Sequence, residues 1–83
     1  MTQDHSTDAN LLLVDDLPEN LVALEALLRA PGRRVFTAQS GEAALSLMLE
    51  RPFALAIIDV QMPSMDGFEL AELMRGTERT RHI

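Results

Sequence analysis

Leu11-Leu12-Leu13-Val14 is an unbroken apolar run, closed at once by Asp15-Asp16. A short run without alternation suits a strand buried on both faces, the pattern of a parallel sheet covered by helices. Working outward from it, Met1–Asn10 reads as a flexible polar lead. Downstream, Pro18 suits the first turn of a helix, where its missing N–H costs nothing. Leu21, Leu24, Leu27 and Leu28 then recur at helical spacing, with Val22 and Ala26 between them, until Ala30-Pro31-Gly32 stops the run. Val35–Ala38 is a second strand, rich in β-formers. Ser40 offers an N-cap to a helix running to Glu50, with Glu42 complementing its dipole. Ala54–Ile58 is a third apolar strand, and it too ends on an aspartate, Asp59. Asp66 and Glu69 have capping-box spacing ahead of a last helix carrying Phe68, Leu70, Ala71, Leu73 and Met74. The order β-α-β-α-β-α predicts an α/β fold with parallel strands and right-handed crossovers.

Composition narrows the functions open to such a chain. Its 83 residues suffice for one small domain. There is no Cys, which excludes disulfides, thiolate metal sites and cysteine nucleophiles. Trp and Tyr are absent, so a base-stacking platform is not expected. All seven basic residues are Arg, which removes a phosphate-loop lysine and Schiff-base chemistry. His5 and His82 stand near the ends, poor positions for a catalytic histidine. A net charge of −6 repels phosphate backbones and anionic lipid, so neither nucleic acid nor membrane is an expected partner. No apolar run approaches the roughly 18 residues of a membrane span. The polar start lacks the basic and apolar regions of a signal peptide, and the expectation is a soluble cytoplasmic protein.

In an open parallel sheet, ligands bind beyond the carboxyl ends of the strands. The first strand ends on Asp15-Asp16 and the third on Asp59. If those strands are neighbours, three carboxylates converge at one sheet edge. Like charges that close repel, and a hard divalent cation with oxygen ligands relieves the repulsion. Taken alone, Asp15-Asp16 reads better as a structural turn, with Asp16 capping the helix that opens at Pro18. Asp59 has no helix directly after it, and carboxylates on two independent strand ends favour a binding site over coincidence. Met48, Met62, Met65 and Met74 read as packing residues, and Arg29, Arg33 and Arg34 as a solvated helix end.

These residues resemble the receiver domain of two-component response regulators, which also occurs in hybrid histidine kinases. The resemblance runs from Leu11 to Ile83. It rests on Leu12-Leu13-Val14-Asp15-Asp16, Pro18-Glu19-Asn20, Ser40-Gly41-Glu42-Ala43-Ala44-Leu45, and above all Ile57-Ile58-Asp59-Val60-Gln61-Met62-Pro63-Ser64-Met65-Asp66-Gly67-Phe68-Glu69. It implies a flavodoxin-like α/β fold, with Asp59 as the acceptor of a phosphoryl group from a phosphohistidine on a histidine kinase or phosphotransfer domain. It further implies that Asp16 ligates Mg²⁺ directly, that Asp15 helps through water, and that Gln61 offers its main-chain carbonyl. Pro63 and Gly67 would shape the loop after the acceptor. Such a domain is a signalling acceptor rather than an enzyme.

The resemblance is partial. The family sheet has five strands in the order 2-1-3-4-5, and residues 11–83 supply three of them, in the order 2-1-3. The family's Ser or Thr after its fourth strand and its Lys after its fifth have no counterpart here. With strands 4 and 5 lacking, the expectation is a truncated receiver whose third strand is an apolar edge. An edge of that kind invites a homodimer or a domain swap. Two alternatives stand beside the phosphoacceptor reading. One is a non-phosphorylated interaction or dimerisation fragment. The other, a phosphohydrolase with an aspartyl nucleophile, wants a carboxylate two residues after Asp59, where Gln61 stands. A dinucleotide-binding unit is excluded by the lack of a Gly-x-Gly-x-x-Gly turn after the first strand.

Overall fold

A computed structural model describes residues 9–63 and 65–83. The elements are β1 (Ala9–Val14), α1 (Pro18–Leu28), β2 (Arg33–Ala38), α2 (Gly41–Glu50), β3 (Leu55–Ile58) and α3 (Gly67–Gly76). The strands form one parallel sheet in the order β2-β1-β3, as expected.

Central β1 is the most buried element, with Leu12 and Leu13 at 0% exposure. Successive side chains of a strand point to opposite faces. Leu12 and Val14 therefore join Ala44 and Met48 of α2, Leu70 and Met74 of α3, and Phe53 and Met62 in one core. Leu13 faces the other side, where α1 packs across β1 and β2 and buries Leu21. The methionines behave as packing residues: Met48, Met62 and Met74 are buried, and Met65 packs against the same core. A T-shaped Phe36–Phe53 pair, centroids 5.5 Å apart, closes its lower end. The Arg51 guanidinium lies 4.6 Å from the Phe36 ring centre and that of Arg34 lies 5.4 Å from it.

Element boundaries follow local chemistry. Ser40 caps α2 by accepting from the Ala43 N–H at 3.1 Å. Asp66 and Glu69 complete the capping box of α3, the Asp66 carboxylate accepting from Glu69 N at 2.8 Å. Ala30-Pro31-Gly32-Arg33 closes a turn through Arg33 N to Ala30 O at 3.1 Å. Gly32 takes φ 81° there, the left-handed geometry that glycine tolerates.

Some expectations need correction. β1 starts at Ala9, two residues before Leu11, and β2 starts at Arg33 rather than Val35. The added pairs, Ala9↔Arg33 and Asn10↔Arg34, carry polar side chains that hide the strand pattern. Asn10 is tied further, its Nδ2 donating to Pro52 O at 2.8 Å and its carbonyl accepting from Ala54 N at 2.9 Å. The polar lead expected over residues 1–10 thus loses Ala9 and Asn10, and its first eight residues lie outside the described ones. β3 starts at Leu55, one residue late. Arg34 belongs to β2 and not to a helix end, whereas Arg33 does meet one, donating to Leu28 O at 3.2 Å. Several apolar helix positions face out, among them Val22 and Leu27 of α1 and Phe68 of α3. Among the described residues, no helix is long and apolar enough to cross a membrane.

Candidate functional site

The register Val14↔Ile58 sets the ends of β1 and β3 side by side. The ladder continues one step past each strand: Asp59 N donates to Val14 O at 2.8 Å and Asp15 N to Ala38 O at 3.1 Å. Asp15, Asp16 and Asp59 therefore meet at the carboxyl edge of the sheet. Each offers one carboxylate oxygen, and those atoms all lie within 4.8 Å of one another. Asp15 is buried, while Asp16 and Asp59 are half-buried.

The three carboxylates are held differently. Asp15 Oδ1 accepts from Leu17 N at 3.0 Å and Asp15 Oδ2 from Asn20 Nδ2 at 3.1 Å. The expected helix cap by Asp16 is not formed: the N-cap of α1 is Leu17, without a side-chain cap, and Asp15 takes the Leu17 N–H. Asp16, one residue earlier than Leu17 on the chain, stays available at the edge. Asp59 Oδ1 accepts from Gln61 N at 3.2 Å, a local turn that aims the chain away after β3. Gln61 is exposed and makes its contact with Asp59 through the N–H.

Gly67 packs closely against the end of β3. Its N–H donates to Val60 O at 3.3 Å. A Cβ there would stand 2.8 Å from Val60 Cα and would run into the Asp59 carbonyl. Only a residue without a side chain lets α3 start so close to the end of β3.

Among the described residues, no cationic side chain pairs with the cluster. Among the described residues, the one ion pair is Arg29–Glu25 at 3.2 Å. The topology explains why. Arg29 and Arg51 end α1 and α2, Arg33 and Arg34 begin β2, and Arg75, Arg79 and Arg81 lie at or beyond the last turn of α3. Helices return the chain to the amino edge of a parallel sheet, so every Arg sits opposite the acidic edge. Three oxygen donors of negative charge, without a competing guanidinium, make a donor set for a hard cation. Asn20, from the Pro18-Glu19-Asn20 segment that carries the resemblance and that lies near the acidic pair, is the side chain that bonds Asp15. Its signal was a polar side chain in the first turn of α1, five residues after Asp15.

Residues 11–83 match the family described as the response regulator receiver domain. The chain is 43% identical over 72 residues to the sensor histidine kinase GacS of Pseudomonas protegens, covering 87% of this chain and 8% of that kinase. Among solved structures it superposes with TM-score 0.84 on the N-terminal domain of a response regulator receiver protein from Methanoculleus marisnigri, at 35% identity. That match covers 89% of this chain and 60% of the other. The response regulator TrrA of Thermotoga maritima, solved in complex with Mg²⁺–BeF, matches with TM-score 0.79 and 32% identity, over 86% of this chain and 62% of that one. The flavodoxin-like receiver fold is shared with these structures.

Proposed function

The chain belongs to the response regulator receiver domain family, and on that premise we propose that Asp59 accepts a phosphoryl group from a phosphohistidine on a partner protein. The observation that carries this reading is the convergence of Asp15, Asp16 and Asp59 within 4.8 Å at one sheet edge. An Asp59 carboxylate oxygen forms the new O–P bond as the donor's N–P bond breaks. The imidazole nitrogen keeps the electron pair and takes up a proton. The product is an acyl phosphate, which adds about one to two negative charges at the edge.

The donor set fits Mg²⁺. Asp16 would bind it directly, Asp15 through water, and Asp59 with the main-chain carbonyl of Gln61 would complete the protein ligands. When bound, Mg²⁺ supplies charge neutralisation between the carboxylate and the incoming phosphoryl oxygens. The chain's own residues do the rest: they present Asp59 on a rigid strand end and keep every guanidinium away from the carboxylates. The partner is a histidine kinase or a phosphotransfer domain, and the chain acts beside it in the cytoplasm as a signalling acceptor rather than an enzyme. Intact-mass measurement after treatment with Mg²⁺ and a small phosphodonor tests the reading. A phosphoryl adduct on the wild type that is lost in Asp59→Asn supports it, and a wild type without an adduct refutes it.

A second reading is favoured by β3. Among the described residues nothing pairs with its outer edge, and Leu55 and Ile57 are 50% and 39% exposed. The opposite edge strand, β2, begins with Arg33 and Arg34, charges that discourage strand addition. Pairing between copies through β3, as a homodimer or a domain swap, would cover the unguarded edge. Sedimentation at high concentration checks it, and a monomer throughout removes it.

A further inference from the structure

Of the three clustered carboxylates, Asp15 is the most enclosed, and both of its oxygens are engaged. One donor, the Leu17 N–H, is set by the main chain. The other is the side-chain amide of Asn20, in the first turn of α1. Two donors, one per oxygen, stop the carboxylate from rotating about its Cβ–Cγ bond. A carboxylate oxygen has about two acceptor positions, so each oxygen keeps one free for a further ligand. Asn20 is also neutral. It orients Asp15 without cancelling its charge, which an Arg or Lys at that position would do.

We propose that Asn20 is a positioning residue for the cation site, acting through Asp15. This rests on the reading of the acidic cluster as a Mg²⁺ site and deepens it. The Asn20 amide holds Asp15 in the orientation that brings one of its oxygens within 4.8 Å of those of Asp16 and Asp59. It also couples the site to α1, because the start of that helix is fastened to Asp15 rather than capped by its own N-cap side chain. A shift of α1 would reach the cation through Asp15, by the Asn20 amide and the Leu17 N–H together. Groups that orient metal ligands in this way change metal affinity about 10- to 100-fold when removed.

Mg²⁺ binding by the full chain, measured calorimetrically, tests the assignment through a double-mutant cycle. The variants are Asn20→Ala, Asn20→Leu, Asp15→Asn and the two doubles, each with a parallel urea melt. Asn20→Leu keeps volume and helix propensity while losing both amide donors, so it serves if Asn20→Ala does not fold. The expected result is a Mg²⁺ Kd about tenfold weaker in each Asn20 single variant. In the Asp15→Asn background the same change should move Kd by less than about twofold. Single variants that bind Mg²⁺ like the wild type overturn the assignment. So does an equal loss in both backgrounds, which would mean that Asn20 only steadies the helix. A wild type that does not bind Mg²⁺ overturns this assignment together with the cation reading, whereas wild-type binding with unchanged Asn20 variants overturns this assignment alone.

Discussion

Gly67→Ala sets two effects of opposite sign against each other. Gly67 opens α3 without a positive φ, so general helix preference favours Ala there by up to about 1 kcal/mol. That gain comes chiefly from restricting the unfolded chain. The native packing opposes it. The added Cβ would lie 2.8 Å from Val60 Cα and against the Asp59 carbonyl, and both obstacles are backbone. Backbone cannot swing aside as a flexible side chain can, so either α3 or the end of β3 must move. Overpacking of this kind costs about 1–3 kcal/mol, occasionally more. With two backbone atoms in the way the cost falls in the upper part of that range, about 2–3 kcal/mol, so after a gain of up to about 1 kcal/mol the expected net loss is about 1–2 kcal/mol. At about 4–8 °C per kcal/mol for a domain of this size, Tm falls by roughly 5–15 °C. Thermal and urea unfolding followed by far-ultraviolet circular dichroism read this directly. An unchanged or raised Tm would refute the claim that Asp59 and Gly67 are packed backbone to backbone.

Other perturbations test other parts of the account. Leu70→Ala removes a fully buried side chain between α3 and β1, and should cost about 2–5 kcal/mol in a urea melt. Asp66→Ala breaks the capping box of α3 and should cost about 0.5–2 kcal/mol, with Asp66→Asn losing much less. Ile57→Lys puts a charge on the unguarded β3 edge and should lower any self-association seen by sedimentation while leaving the melting curve within about 0.5 kcal/mol of wild type.

The fold was legible because each of three apolar runs is followed by a helix signal, at Pro18, Ser40 and Asp66. Val14, Ala38 and Ile58 close their strands in the structure as they do in the sequence, and Ser40 and Asp66 cap the helices that their side chains announced. Strand beginnings were less readable. Ala9, Asn10, Arg33 and Arg34 pair by main-chain hydrogen bonds that do not depend on side-chain hydropathy, and so they left no apolar trace. Exposed Val22, Leu27 and Phe68 were equally unreadable, because periodicity reports an apolar face and not whether a neighbour covers it. The acidic triad was legible in part. Two strand ends named its members, while their closeness depended on β1 and β3 being neighbours. The division of labour within it was not: whether Asp15 or Asp16 takes the Leu17 N–H is decided by the path of the chain into α1, where Asp15 faces back and Asn20 reaches it.

The central claim is that three carboxylates at one sheet edge make Asp59 a cation-dependent phosphoryl acceptor. The most direct measurement locates the adduct by peptide fragmentation after exposure to a small phosphodonor, with Mg²⁺ and again with a chelator. The expected result is a phosphoryl group on Asp59 that requires Mg²⁺. A modification elsewhere on the chain, or one on Asp59 that forms equally well with the chelator present, would contradict it.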